Sequence, residues 1–315
     1  MSSGRAQDDY WVFHGGEFKR YGEVGLGLLT HALHYGTGCF DGVRAYWNET
    51  TQKLHVFRPT EHFERLRQNA RLLHMEVPHT AAELTGITLE LLRRNQFATD
   101  VYIRPLCYKA SEEIGIRFHN LEDGFFIVAV PFGAYMDTTA GIRCQVSSWR
   151  RIDDNVAPAR SKSSGIYVNS ALAKTAAAQD GYDEAILLTH DGHVSEGSAE
   201  NIFIYRRGRF ATPPSSDNIL EGITRDTLTQ LITAELGLDV QERTVSRSEL
   251  YVAEEVLLCG TGAEVSAVIE IDRRPIGTGE PGPLTRRLQQ LYFSACKGEL
   301  PRYADWAVPV ATRAG

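Results

Sequence analysis

Lys162 stands in a segment whose composition is unusual for a surface lysine. The segment 161–167 reads Ser-Lys-Ser-Ser-Gly-Ile-Tyr and precedes a predicted helix. A surface lysine normally lies among other charged residues, whereas these small neighbours leave room for a bulky group against the backbone. We therefore regard Lys162 as a candidate reactive amine. The alternative is a loop lysine without a role, and Lys174, inside a predicted helix, shows what such a solvated lysine looks like.

Two further segments carry charged groups that suit chemistry. Glu196 lies between Ser and Gly in 194–203, at a predicted strand edge or bulge, and taken alone it would be an exposed and inert glutamate. Tyr102 and Arg104 are two residues apart in a predicted strand, so both side chains point to the same face. A phenol beside a guanidinium suits a carboxylate ligand. The alternative for this pair is a surface arginine packed on a tyrosine.

Two glycine-containing segments are typical of phosphate-binding backbone. Residues 221–226 lead into a predicted helix, whose first amides and positive end favour an anion, and Thr224 adds a hydroxyl. Thr224 could instead only cap its own helix. Residues 259–264 place Thr261 between two glycines after a strand, where amides and a hydroxyl can face a phosphate. Arg58, which ends another strand, could supply the countercharge.

Residues 277–282 match the pattern GxGxxG but do not predict a dinucleotide site. The segment contains Pro281 and lies near the C-terminus, and no βαβ unit follows it. The sequence contains no Walker A, HExxH or GxSxG motif, and its ten histidines have no regular ligand spacing. We therefore expect no metal site.

Composition excludes several classes of protein. The chain has 315 residues, 43% hydrophobic content and a net charge of −7, which predict a globular protein and make a nucleic-acid partner unfavourable. No apolar stretch is long enough to span a bilayer, and the polar N-terminus has no secretion signal. Five scattered cysteines without a CxxC pair are typical of buried thiols in a reducing compartment. We expect a cytoplasmic protein without membrane contact.

Strand and helix patterns alternate along the chain and predict an α/β fold with two domains. We expect an N-terminal domain over 1–132, a linker over 133–141 that contains Pro and Gly residues near its start, and a C-terminal domain over 142–315. In the first domain, Thr60 is the predicted N-cap of one helix. Thr80 and Glu83 form a predicted capping box at the start of the next helix.

Taken in order, these segments resemble the fold-type IV pyridoxal-phosphate enzymes, and among them the branched-chain amino acid aminotransferases. The resemblance extends from about residue 11 to 296. Its most specific stretch is 194–203, followed by Thr-Pro-Pro at 212–214 and by 220–226. The segments 34–44 and 102–105 match the N-terminal part of the pattern. The resemblance implies a small N-terminal α/β domain and a larger C-terminal α/β domain with a pseudo-barrel, with pyridoxal 5'-phosphate bound between them.

The resemblance also implies a role for each candidate residue. Lys162 would bind the cofactor covalently and move a proton, Glu196 would keep the ring nitrogen protonated, and Tyr167 would bond the ring's phenolic oxygen. Asn201 would support Glu196. The implied cofactor contacts are Arg58, Lys162, Tyr167, Glu196, Asn201, Gly222, Ile223, Thr224, Gly260 and Thr261. The implied substrate contacts are Tyr35, Phe40, Gly42, Arg44, Tyr102, Arg104, Thr261 and Gly262.

The implied activity is transamination of L-leucine, L-isoleucine and L-valine with 2-oxoglutarate. The implied assembly is a homodimer or a higher homo-oligomer, in which Tyr35 or the loop 111–120 reaches the neighbour. This loop departs from the usual branched-chain pattern, and Arg117 has no counterpart in it. A transaminase of (R)-amines or D-amino acids, or a 4-amino-4-deoxychorismate lyase, is therefore the alternative. A third hypothesis is a relative that binds the cofactor without catalysis.

Overall fold

The computed structural model describes residues 7–133 and 140–311, so that most of the expected linker 133–141 lies outside the described residues. The strands are β1 (Trp11–His14), β2 (Glu17–Arg20), β3 (Gly38–Phe40), β4 (Val43–Asn48), β5 (Lys53–Phe57), β6 (Val101–Lys109), β7 (Asp123–Pro131), β8 (Ile142–Arg150), β9 (Glu184–Leu188), β10 (Val194–Gly197), β11 (Asn201–Arg206), β12 (Arg209–Thr212), β13 (Val240–Glu242), β14 (Glu255–Gly260), β15 (Glu264–Ile271), β16 (Arg274–Pro275) and β17 (Ala307–Pro309). The α-helices are α1 (His31–Tyr35), α2 (Pro59–Leu72), α3 (Ala81–Asn95), α4 (Tyr167–Gln179), α5 (Ile223–Glu235), α6 (Arg247–Leu250) and α7 (Pro283–Cys296). None of the helices in the described ranges has the length and hydropathy of a membrane span. The predicted α/β class is confirmed.

The chain divides into two compact units. The first unit comprises residues 1–133, 161–165 and 294–315, and the second comprises 134–160 and 166–293. The C-terminal stretch joins the first unit because β17 pairs with β5 in an antiparallel ladder. These units differ from the expected ranges 1–132 and 142–315 in these two inserted stretches, and the domain boundaries stay a prediction.

The first unit is built on one sheet. Its strand order is β17-β5-β4-β6-β7-β1-β2, and β3 pairs with β6. Helices α2 and α3 pack against each other and against this sheet. The predicted apolar face of α2, with Phe63, Leu66 and Ala70, is buried in the core as its spacing indicated.

The two predicted helix starts in the first unit have different outcomes. Thr80 and Glu83 form the expected capping box, because Glu83 N donates to Thr80 Oγ1 at 3.2 Å and Thr80 N donates to Glu83 Oε2 at 2.7 Å. The prediction that Thr60 caps α2 was wrong. Arg58 occupies the N-cap position and Pro59 is the first helical residue. Proline fits that position because its φ is already helical and it has no N–H to leave unpaired.

The second unit also has one principal sheet, of order β10-β9-β8-β15-β14-β11-β12-β13, with β16 paired to β15. Strand β8 has parallel partners on both sides. Helix α4 packs on β8 and β9, and α5 packs on β14. The predicted hairpin at 191–192 is confirmed, because β9 and β10 are antiparallel and Gly192 has a φ of +86°.

The GxGxxG segment 277–282 leads into α7 and has a structural use. Glu255 accepts hydrogen bonds from the amides of Leu284 at 3.0 Å and Thr285 at 2.8 Å, and from the Thr285 hydroxyl at 2.7 Å. A Cβ at Gly282 would meet the Glu255 carboxyl carbon at 2.1 Å. The glycine therefore makes room for a carboxylate that caps the helix.

A buried ion pair fixes the backbone between β3 and β4. The carboxylate of Asp41 is fully buried and accepts from Arg65 Nε at 2.9 Å, Arg65 Nη2 at 2.8 Å and the Gly42 amide at 2.7 Å. His62 Nδ1 lies 2.8 Å from the same carboxylate. Burial by itself would raise the pKa of Asp41, but Arg65 and His62 hold it well below its ordinary value.

We expect Asp41→Asn to lower the free energy of unfolding by about 3 kcal/mol, because Arg65 loses its buried partner. The depressed pKa of Asp41 means that its contribution is complete above its ordinary value of 3.8 and is lost as pH falls below it. Denaturant unfolding at pH 7 and at pH 3 measures both effects. The exposed Asp305→Asn, in the same unit, is the control. A variant as stable as the parent at pH 7 would contradict this role.

Candidate active site

The segment that carries Lys162 lies along β3 in the first unit. Phe40 N donates to the Lys162 carbonyl at 3.0 Å, and Ser164 N donates to the Gly38 carbonyl at 2.8 Å. Gly36 has a φ of +64°, and a Cβ there would meet Gly165 Cα at 2.7 Å. Lys162 is therefore held by backbone hydrogen bonds at a strand edge, and glycine is required where the two chain segments approach closely.

Phe40 is shared by two cationic side chains. The Lys162 Nζ lies 5.4 Å from the centre of its ring, and the Arg104 guanidinium carbon lies 4.1 Å from the same point. Arg104 Nη2 donates to the Tyr102 hydroxyl at 3.0 Å. A Cβ at Gly42 would meet that hydroxyl at 2.1 Å. The structure thus brings these five predicted residues into one cluster, as the alternation along the strand indicated.

Two predicted arginines in this unit have protein partners. Arg44 is 2% exposed and its Nη2 donates to the carbonyls of Phe132 at 3.2 Å and Gly133 at 2.8 Å. Arg58 has a φ of +47° and its Nε donates to Glu61 Oε1 at 2.7 Å. Arg44 therefore ties down the chain that follows β7, and Arg58 is oriented by the first turn of α2.

Tyr35 and the loop 111–118 lie in one region of the first unit. The rings of His31 and Tyr35 are 4.6 Å apart, and His31 also holds the loop through its amide to the Ser111 carbonyl at 2.9 Å. Arg117 Nη2 lies 2.5 Å from Glu113 Oε1, and Arg117 Nε donates to the His119 carbonyl at 3.3 Å. The charge of Arg117 is thus compensated by a neighbour four residues away.

Glu196, in the second unit, has partners at both carboxylate oxygens. Oε1 lies 2.8 Å from Arg151 Nη2, and Oε2 accepts from Asn201 Nδ2 and from the Leu220 amide, each at 3.0 Å. Glu196 and Arg151 are both buried. Arg151 is itself oriented by a hydrogen bond from its Nε to the Asn218 carbonyl at 3.1 Å. A buried carboxylate with this many donors stays ionised and fixed in place.

Asn201 connects Glu196 to the start of α5. Its Nδ2 also donates to the Leu220 carbonyl at 2.8 Å, and a Cβ at Gly222 would meet its Oδ1 at 2.0 Å. Gly222 is the N-cap of α5 and offers no side-chain acceptor to the helix amides. Thr224 is buried in the first turn. The hypothesis that Thr224 merely caps its own helix was wrong, because the cap is Gly222.

The remaining predicted residues of the second unit lie at the ends of its elements. Gly260 ends β14, and a Cβ there would meet the Ala199 carbonyl at 3.3 Å. Thr261 and Gly262 form the turn between β14 and β15. Tyr167 is the first residue of α4. These positions place amides and a phenol at element ends, where they remain available to a ligand.

The residues of the second unit fit a cofactor with a phosphate and a basic ring nitrogen. The start of α5 has a glycine N-cap and a threonine in its first turn, as an anion site at a helix N-terminus requires. The fixed Glu196 carboxylate can accept a hydrogen bond from a protonated ring nitrogen. Asn201 contacts both places, so one side chain sets their spacing.

Sequence reasoning missed Arg151 and the amide of Leu220. The signal for Arg151 was weak, because it directly follows another arginine at the end of β8. Only the pairing of a buried carboxylate with a buried cation identifies it, since a buried charge needs a partner. A backbone amide leaves no signal in the sequence at all.

Comparison with known proteins gives consistent results. The model of the family described as amino-transferase class IV matches residues 38–271. A probable branched-chain-amino-acid aminotransferase of Aquifex aeolicus is 49% identical over 300 residues, which are 95% of this chain and 96% of that protein.

Solved structures give the same result. The branched-chain aminotransferase of Thermoproteus uzoniensis, solved with norvaline, has a TM-score of 0.91 and 41% identity, with 96% of this chain and 99% of that chain covered. The branched-chain amino acid aminotransferase of Thermobaculum terrenum, in its PLP form, has a TM-score of 0.93 and 35% identity, with 98% and 100% covered. The fold-type IV prediction is confirmed, and the chain belongs to the amino-transferase class IV family.

Proposed function

We propose that the protein is a pyridoxal-phosphate-dependent transaminase of L-leucine, L-isoleucine and L-valine. It transfers their amino groups to 2-oxoglutarate and gives branched-chain 2-oxo acids and L-glutamate. The observation that carries the proposal is near-full-length identity of 49% and 39% to relatives named branched-chain-amino-acid aminotransferases. The PLP form and the pyridoxamine 5'-phosphate form of structural neighbours support the cofactor.

Lys162 is the residue that holds the cofactor and moves the proton. When bound, pyridoxal phosphate supplies a carbonyl that condenses with amines and a ring that accepts electrons. The Nζ of Lys162 forms the covalent link, is displaced by the amino group of the substrate, and then carries the proton that leaves Cα. The backbone bonds of its segment to β3 keep this amine in one place during the exchange.

Glu196 keeps the ring nitrogen protonated. Its carboxylate is ionised and fixed by Arg151 and Asn201, so it can face a positive N–H without rearranging. Such a preorganised charge matters most when negative charge enters the ring, which is the step that limits proton transfer. Tyr167 donates to the phenolic oxygen of the ring in this proposal.

The phosphate is held by groups from several elements. Ile223 and Thr224 contribute the start of α5, and Gly260 and Thr261 contribute the end of β14. Arg58 supplies the positive charge, and Glu61 orients its guanidinium. An anion at a helix N-terminus with an added guanidinium is a favourable arrangement.

The substrate carboxylate is bound by Tyr102 and Arg104, with the amides of Thr261 and Gly262. Tyr35, Phe40 and Gly42 shape the apolar part of the pocket. Arg44 acts from behind this surface, because its guanidinium is committed to backbone carbonyls. These assignments keep every predicted substrate residue and give Arg44 a supporting part.

The protein forms a homodimer in this proposal. The first unit exposes large apolar side chains on two adjoining segments, Leu28 at 88% and Leu33 at 61% on one, and Ile114 at 64% and Ile116 at 90% on the other. The two segments are joined by the bridge between Thr30 and Glu112. Such a patch is typical of a subunit interface. The five cysteines are buried and free, which supports a cytoplasmic location.

We expect L-leucine to convert the yellow holoenzyme to the colourless amine form of the cofactor in a single half-reaction. D-Alanine and (R)-1-phenylethylamine should leave the absorbance unchanged. Conversion by either of these two would favour the alternative transaminases and indicate a different pocket at 111–120. A protein that cannot be reconstituted with the cofactor would favour a relative without catalysis.

Glu196→Gln should slow the half-reaction at least ~100-fold while the affinity for the cofactor changes less than ~10-fold, because the charge acts mainly in the transition state. Stopped-flow absorbance gives the rate, and titration of the apoenzyme gives the affinity. The exposed Glu280→Gln should behave like the parent. Equal losses of rate and affinity would argue against this role.

The double variant Leu28→Asp and Ile116→Asp should halve the mass measured by light scattering after gel filtration. Two charges in an apolar interface lose hydration without gaining a partner. Val252→Asp, at a residue 56% exposed in the second unit, is the matched control and should stay dimeric. An unchanged mass in the double variant would place the interface elsewhere.

A further inference from the structure

A buried carboxylate lies in the turn that follows Glu196. The Gly197 amide donates to the Glu200 carbonyl at 2.6 Å, and the Ala199 amide donates to Glu200 Oε2 at 3.0 Å. A Cβ at Gly197 would meet Glu200 Oε2 at 2.7 Å. The side chain of Glu200 therefore folds back under its own turn and fixes the backbone that carries Glu196.

Glu200 is surrounded by acids that already have cations. Glu184 is fully buried and lies 2.6 Å from Lys174 Nζ, and Glu196 lies 2.8 Å from Arg151. Within the described ranges no basic side chain forms an ion pair with Glu200, which is 4% exposed. A third negative charge here would be buried without a partner, and that is costly.

We propose that Glu200 is a positioning residue for Glu196 and that it acts as a neutral carboxylic acid at neutral pH. This inference deepens the proposed function, because it rests on the role of Glu196 toward the ring nitrogen. A neutral acid can accept from the Ala199 amide and brace the turn. It does so without repelling Glu196 or Glu184.

The electrostatic environment of Glu200 supports this protonation state. Burial, and next the charge of Glu184, raise the pKa of Glu200 to about 8, and the Ala199 amide and Lys174 oppose the rise. The charge of Glu196 adds to it. The titratable groups that face Glu200 from the packed elements are Glu196 on β10, Glu184 on β9, Lys174 on α4, Cys144 on β8 and Cys259 on β14.

The raised pKa has a definite consequence for stability. Above its ordinary pKa of 4.5, Glu200 is ionised in the unfolded chain, whereas the folded protein keeps it protonated up to about 8. The folded state then binds one proton more, so its stability falls as pH rises between these two values. Glutamine has the shape of the neutral acid and does not titrate.

We expect the holoenzyme of Glu200→Gln to gain apparent melting temperature relative to the parent as pH rises from 6 to 8, by about 5 °C. Glu280→Gln, which changes an exposed glutamate, should show the pH dependence of the parent. Parallel curves for the parent and Glu200→Gln would overturn the neutral-acid assignment. This measurement does not depend on any catalytic activity.

The positioning role is tested by rescue. Glu200→Ala should lower kcat with L-leucine by about 10-fold and leave KM within about twofold, because Glu196 loses its support but the substrate pocket does not change. Glu200→Gln should restore kcat to that of the parent. A loss of the same size in both variants, or a full kcat in Glu200→Ala, would overturn the positioning role.

Failure of this inference is distinguishable from failure of the proposed function. If the parent enzyme does not use L-leucine, the proposed function fails. The rescue test is then repeated with the donor that the parent does use. Glutamine that restores kcat there would support the positioning role, and glutamine that does not would contradict it.

Discussion

The fixed carboxylate of Glu196 is the constraint on which the second unit depends. A buried charge is tolerated only with partners, and here they come from three places along the chain. Arg151 arrives from the end of β8, Asn201 begins β11, and the Leu220 amide precedes α5. Because one carboxylate needs all of them, it joins the sheet to the helix start that suits a phosphate.

The first unit solves a different problem, which is to hold a flexible amine in place. Lysine has four rotatable bonds, so its backbone must be fixed if its Nζ is to act at one point. The hydrogen bonds of its segment to β3 do this. The Asp41–Arg65 ion pair in turn holds the end of β3, so that Phe40 is supported from the core.

Much of the fold and of the candidate site could be predicted from the sequence, and the exceptions have physical reasons. The amphipathic face of α2 and the box at Thr80 depend on local spacing, so they were found. The start of α2 was misplaced because Pro59 outranks a threonine as a start signal. Arg151 is recognised only through its distant partner, which no local pattern reveals. The return of β17 to the first sheet is likewise a contact between distant segments.

The most direct test of the account is the half-reaction of Lys162→Ala with L-leucine, followed by absorbance on protein reconstituted with cofactor. We predict that conversion is slowed at least ~1,000-fold, because no other group replaces the amine that holds the cofactor and carries the proton. The cofactor should still bind weakly through its phosphate contacts. Lys53→Ala, at an exposed lysine of the first unit, should convert like the parent. Near-parental conversion by Lys162→Ala would contradict the account.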